Sequence, residues 1–271
     1  MTKTQRLRMT IDITMTILSI ILMGGNYLFP ADIVHEILGV GLFVLWVVHI
    51  VLNRRWYASL AQASKLITST NANDRRSYGA IFKGKYKPYR IMQTVINCGI
   101  LICTIFLMVS GIILSNHVFT FLGIESGLGF ARIAHLLASH WYYLFMSLHI
   151  GLHVGMIANK LCHSPAPTRE SPNGEIIGSS PIMTENQSPI MTENQSSIMK
   201  LVGIILLALV CAYGVYAFIA RGVWKYLILQ QQFFFFDLER GYVLFALDYI
   251  SIIILCATIS HLIASRLKKN R

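Results

Sequence analysis

Apolar residues gather along this chain into six runs, at roughly 9–29, 34–53, 91–115, 133–158, 198–220 and 243–265. Each approaches or exceeds the roughly 20 residues that a helix needs to cross a bilayer, and polar or charged segments separate them. The pattern predicts an all-α integral membrane protein of six transmembrane helices. Lys3, Arg6 and Arg8 precede the first run as basic residues precede a secretory signal. Its apolar part is too long for such a signal and no small-x-small cleavage site follows, so it is expected to stay as a helix.

The polar segments divide the chain. The loop over 160–197 is rich in Ser, Pro, Asn, Thr and Glu and contains an imperfect repeat, SPIMTENQ SPIMTENQ SSIM. Such a composition buries too little apolar surface to fold, so a disordered cytoplasmic linker is expected there. It separates a four-helix bundle at 1–159 from a two-helix addition at 198–271. Just before the last run, WKYLILQQQFFFFDLERGY mixes aromatic residues with a few charges. Aromatic anchors at the headgroup level are one reading of it, and a docking or lid surface is the other.

Composition agrees with a membrane protein: 55% of residues are hydrophobic and only 13% charged, whereas soluble domains need more charge to cover their surface. A net charge of +11 would point to nucleic acid in a soluble protein. Here Arg54, Arg55, Lys65, Arg75, Arg76, Lys83, Lys85, Lys87 and Arg90 crowd between the second and third runs, and the N-terminus and the tail RLKKNR are basic as well. In a six-helix topology these segments share one side, which the positive-inside rule makes the cytoplasm, with both termini there. Anionic lipid headgroups are then the expected partner of the charge, and no nucleic acid is expected. Cys98, Cys103, Cys162, Cys211 and Cys256 lie mostly within the runs without CxxC spacing and read as small apolar residues.

The histidines carry the chemistry. Of nine, His35, His49, His135, His140, His149 and His153 fall within or at the edge of the second and fourth helices. Ionisable residues are costly in a membrane interior and by default mark a functional site. His35 and His49 stand fourteen positions apart, four helical turns less some 40°, and so project from nearly one face about 21 Å apart along the axis. His135 and His149 repeat that spacing. HEILGVGLFVLWVVHIVLN aligns without gaps over HLLASHWYYLFMSLHIGLH, pairing His35 with His135 and His49 with His149.

Both helices run in the same direction through the membrane, so the pairs come to matching depths and form two stacked levels. One imidazole from each helix at each level suits a haem iron, whose equatorial positions the porphyrin fills. Zinc would want a tetrahedral set, for which further ligands are missing at either level. Gly39, Gly41, Ala138 and Ser139 are small where a macrocycle would approach backbone. Leu42, Trp46, Tyr142 and Met146 share the histidine face and could fill the space between two haems or simply pack between helices. Ser139, Tyr142 and Trp46 are candidates to support the ligating imidazoles.

His153 lies eighteen positions from His135, five full turns, and competes with His149 for the inner level. The internal match favours His149, and the spacing to the cytoplasmic anchors Arg54 and Lys160 favours His153. The one not used as ligand could bond a haem propionate or a quinone. His140 points about 140° away from His135, and His117, His163 and His261 lie at span edges or in a loop, so these four have no assigned role.

At this point the chain resembles the flavinylation-associated cytochromes, the DUF4405 membrane domain. The resembling stretches are HEILGVGLFVLWVVHIVLNRRW, FKGKYKPYR followed by SGIILSNHVF, IAHLLASHWYYLFMSLHIGLH, and AYGVYAFI with FFFFDLERGYVLFALDY. The repeat-bearing loop has no counterpart in it. The resemblance implies a b-type cytochrome of a bacterial cytoplasmic membrane that holds two haem b groups and passes electrons toward an extracytoplasmic flavoprotein bearing covalent FMN. It places haem iron at His35, His49, His135 and His149, with His153 as a further histidine of the motif.

Two readings follow. In the first the protein is an electron-transfer component rather than a stand-alone enzyme, carrying electrons from quinol or a cytoplasmic-side donor through two bis-histidine haems. For a quinone, His153, Asn53 and His117 are polar candidates near helix ends. In the second it is a haem-free transporter whose histidines relay protons or bind a transition metal. Against the second, the spans hold almost no carboxylates apart from Glu36 and Asp248. No Walker loop, dinucleotide fingerprint, Ser-His-Asp context or flavin-attachment sequence is recognisable, so no catalytic residue is assigned and any flavin is expected on a partner.

Overall fold

The structure, a computed structural model, describes residues 3–25, 31–55, 58, 88–162, 193–234 and 241–269, with backbone alone for 156–162 and 193–197. Most of the basic loop between the second and third runs, the repeat of the 160–197 linker with His163, and residues 235–240 of the aromatic stretch lie outside the described residues.

Every regular element described is helical. The long helices are α1 (Lys3–Met23), α2 (Asp32–Leu52), α3 (Pro88–Leu114), α4 (Leu128–Cys162), α5 (Glu193–Ala220) and, after the short α6 (Val223–Leu227), α7 (Gly241–Lys269). A single 3-10 turn, Thr120–Leu122, lies between α3 and α4. Helix ends depart from the apolar runs where local chemistry extends them. Lys3, Arg6 and Arg8 are good helix formers and join α1 ahead of its apolar part. Pro88 opens α3, where its missing N–H costs nothing.

Among the described residues four stretches are long and apolar enough to cross a membrane: Asp32–Leu52, Pro88–Leu114, Ile198–Ala220 and Gly241–Lys269. Their outward faces carry exposed large apolar side chains such as Ile102, Ile105, Ile204 and Leu209, which suits a surface solvated by lipid. The other two long helices, α1 and α4, carry more of the polar and charged residues.

The packing is serial. α3 lies along α4, α4 along α7, and α7 along α5, while α1 pairs with α2. Small residues set the closest approaches. A Cβ on Gly151 of α4 would collide with the Ala257 backbone of α7, and one on Gly214 of α5 would come within 2.6 Å of the Ser251 carbonyl of α7, the close contact that small residues allow between membrane helices. Polar groups satisfy one another across these seams. Tyr143 donates to the Tyr249 carbonyl and Ser260 to the Leu148 carbonyl at 2.7 Å. The Arg221–Asp248 ion pair at 2.7 Å ties the turn after α5 to α7, and the Tyr213 hydroxyl of α5 donates to the same carboxylate.

α2 stands apart from this core. It has no buried residue, and its contacts are to α1 and the C-terminal part of α3. Glu36 makes the second contact: it accepts from Ser115 Oγ at 2.6 Å and from the backbone N–H groups of Asn116, His117 and Val118 at 2.9, 3.2 and 2.8 Å. One carboxylate thereby holds the turn after α3 against the first turns of α2. At the opposite end Arg8 donates to the Leu52 carbonyl at 2.7 Å, closing α1 onto the C-terminus of α2 with a favourable charge. Lys268 of α7 covers the Tyr89 ring of α3 at 4.2 Å. Arg8, Arg54, Lys268 and their basic neighbours thus collect at the end of the molecule where His49 lies.

Candidate functional site

The gap between α2 and the α3–α4 pair contains a cavity of about 320 Å³. His35 from α2 and His135 from α4 both line it, and their ring centres are 6.3 Å apart at an interplanar angle of 61°. Two imidazoles on opposite sides of one metal, each nitrogen roughly 2 Å from it, place their ring centres about 6 Å apart. Rotation about the nitrogen–metal line leaves the interplanar angle free. The spacing therefore leaves room for one metal between the two rings, and small residues line the walls: a Cβ on Gly39 of α2 would meet open space, and one on Gly111 of α3 would meet the His135 ring at 3.8 Å.

The His135 ring has its orientation set. Ser110 Oγ donates to the Phe106 carbonyl at 2.6 Å, so its lone pairs face His135 Nδ1 at 3.0 Å. Nδ1–H is then the donor, and Nε2 keeps the lone pair that a metal needs. His35 is positioned through its neighbour Glu36, whose clamp on the 115–118 turn fixes the height and rotation of α2. Leu42, Trp46, Tyr142 and Met146 all line the same cavity and run from it toward the middle of the bundle. Tyr142 also meets Ser19 of α1 at 3.1 Å.

At the other end no ring contact joins His49 to His149, and each bonds a residue of another helix through Nδ1. His149 Nδ1 lies 2.8 Å from Asn97 Oδ1 on α3, and as the carboxamide oxygen can only accept, Nδ1–H donates. His49 Nδ1 lies 2.7 Å from Asp12 Oδ1 on α1. Its Nε2 receives a longer contact, 3.3 Å, from Asn53 Nδ2, which also donates to the His49 carbonyl at 2.9 Å. The His149 and His153 rings pack at 4.6 Å. His135, His49 and His149 thus each donate from Nδ1 to an oxygen on another helix, which leaves the lone pair on Nε2.

Several expectations need correcting in their details. Ser139, Tyr142 and Trp46 do not bond the paired histidines: Ser139 donates to the Leu136 carbonyl at 2.8 Å, Tyr142 bonds Ser19, and Trp46 stacks on Phe43. The partners are Ser110, Asn97 and Asp12. Ser110 and Asn97 are single polar residues in an apolar helix, a visible but unspecific signal. Asp12 lies within the first apolar run and adds a carboxylate there to Glu36 and Asp248. Those two acids are structural, one a turn clamp and the other an ion-pair partner. Of the remaining polar candidates, Asn53 caps α2, His117 faces Glu36 at 3.3 Å, and His261 packs near Gly155.

Among the described residues no three or more His, Cys, Asp or Glu side chains gather into a multidentate metal site. The histidine pair is the unit the fold builds. The described residues thus form a helical protein with four helices long and apolar enough to span a membrane, and His35 and His135 face each other between two helices. Comparison with protein-family models, with curated proteins and with solved structures finds no match for the chain.

Proposed function

We propose that this protein is a di-haem b-type cytochrome that carries electrons across a bacterial cytoplasmic membrane, from quinol or a cytoplasmic-side donor to an extracytoplasmic acceptor. The observation that carries the reading is the His35–His135 pair, 6.3 Å apart across a cavity whose walls include Gly39 and Gly111. When bound, haem supplies one-electron ferric–ferrous chemistry. His35 and His135 would hold one such group, and His49 and His149 the other. Asn97 supports His149 over His153 as ligand, because it leaves His149 Nε2 oriented and unprotonated.

The chain's residues supply orientation and electrostatics. Ser110, Asn97 and Asp12 fix the Nδ1–H tautomers and so the direction of each Nε2. The anionic Asp12 also increases electron density on its imidazole, as a carboxylate behind a ligating histidine does. Leu42, Trp46 and Met146 keep water from the space between the levels. In this reading all six long helices cross the bilayer, and the basic His49 end faces the cytoplasm. The His35 end faces outward, toward an acceptor such as an FMN-bearing flavoprotein. A redox-difference spectrum of the purified chain with haem quantified tests it: two haems per chain with bis-imidazole bands are expected, and a folded, colourless preparation overturns it.

One observation favours the second reading, a haem-free histidine-based proton or transition-metal transporter. Asp12 against His49 is a carboxylate–imidazole couple of the kind proton relays use. Proton or metal flux in proteoliposomes that survives removal of haem and is lost in Asp12→Asn would select it.

A further inference from the structure

A second cavity, of about 400 Å³, adjoins the first at the His35 end. Leu22, Met23, His35, Leu114, His135 and Ser139 line both, so the two are lobes of one site that meet at the histidine pair. A macrocycle held through its centre by His35 and His135 is wider than either ring and extends to every side of that axis. It would enter both lobes.

The lobes differ in charge. Among the described residues, the first is lined by two acids, Asp32 and Glu36, and by no lysine or arginine. The second is lined by Arg132 and the neutral amide of Gln232, and by no acid. Arg132 stands three positions before His135 in α4, about 4.5 Å nearer the N-terminal end of that helix. It is exposed and makes no ion pair with a described residue, so its guanidinium is open to an anion. Glu36 is engaged with the 115–118 turn, and Asp32 lies in the first turn of α2.

Haem carries its two carboxylates on one edge, and the opposite edge is apolar. A carboxylate placed in an apolar bundle is costly unless a cation or water meets it. In the first lobe it would stand among like charges. In the second, a guanidinium presents paired donors that match a carboxylate's two oxygens.

We infer that the haem at the His35 level is bound in one rotational setting, with its carboxylate edge in the second lobe paired to Arg132 and its apolar edge in the first lobe beside Gly39 and Gly111. This rests on the proposed cytochrome function and adds to it which edge of the group faces which wall.

The test compares iron protoporphyrin with its dimethyl ester, which has the same ring and iron but no carboxylate. Uptake of each is measured by the full chain produced without haem and held in lipid nanodiscs, with empty nanodiscs as the blank. The background is His49→Ala, so that only the His35 level is filled. Iron protoporphyrin is expected to bind about tenfold tighter than the ester, the scale of one charge-assisted hydrogen-bonded pair. Arg132→Ala should remove that preference by weakening protoporphyrin alone, and Arg132→Lys should recover part of it. The propionate bending band in the resonance Raman spectrum should shift in Arg132→Ala and stay in place in Asp32→Asn, which keeps the preference. Equal affinity of the two ligands before Arg132 is altered overturns the inference, as does an Arg132→Ala chain that loses both alike, because a residue that only supports the fold does not distinguish acid from ester. A larger gain in protoporphyrin affinity from Asp32→Asn than the loss from Arg132→Ala would place the carboxylates in the first lobe and overturn it too. Chains that take up neither ligand refute the cytochrome reading and the inference with it, whereas chains that take up both without discrimination refute the inference alone.

Discussion

The two histidine levels are built from one spacing and yet differ in how they are held. At the His35 end the rings face each other across an open cavity, and a neutral serine hydroxyl supports His135. At the His49 end the histidines sit in a polar network. His49 lies between a half-exposed carboxylate and an asparagine, and His149 lies between Asn97 and His153. Repeating a helical spacing places side chains at matching heights, but the residues on α1 and α3 decide what each imidazole bonds to. Under the proposed function the contrast makes the levels unequal electron carriers. The anionic Asp12 stabilises the oxidised form of its level, and the neutral Ser110 does so less.

The largest expected effect is loss of a whole level. His135→Ala should remove about half of the haem and leave the His49 end intact, while His149→Ala removes the other half, as read from haem per chain. His153→Ala is the sharpening control. It should retain both haems, and loss of one would transfer the inner ligand role to His153.

Next are the partners of Nδ1. Asp12→Asn should lower retention of the group at its own level by about 10–100-fold and raise that level's potential. Ser110→Ala should move only the other level, and by less. Potentiometric titration of the two haem components reads both, and equal shifts at both levels would erase the contrast.

Glu36→Ala should then cost about 2 kcal/mol of stability, the scale of hydrogen bonds to a charged group, seen as a lower melting temperature in detergent. Its spectral effect should be confined to the His35 level, because the clamp on residues 115–118 positions α2 at that end. The smallest effect is expected of Asn53→Ala. The 3.3 Å contact to His49 Nε2 is long for a hydrogen bond, so freeing that nitrogen should change melting by no more than a degree or two while slightly favouring ligation.

Much of the architecture was legible beforehand because membrane helices announce themselves by length and apolarity. Four of the six expected runs are helices apolar enough to span, and the other two, α1 and α4, are helical over most of the expected range. That His35 and His135 come to face each other was foreshadowed by an internal likeness that needs no tertiary information. What could not be read were the supports of the rings. Ser110, Asn97 and Asp12 lie on other helices and reach the histidines only through the interhelical rotations that packing selects.

The sequence by itself determined the helical, membrane-compatible character of the chain and the two heights at which histidines stand, since hydropathy and a fixed rise per residue are local properties. The tertiary structure decided which nitrogen of each ring is tied down, that Glu36 and Asp248 serve packing while Asp12 serves a histidine, and that Arg132 lines a different lobe of the histidine site from Asp32 and Glu36. Those are matters of which faces meet, and a helix's neighbours are set by the close approach that residues such as Gly151 and Gly214 permit. Spacing along the chain carries no record of that.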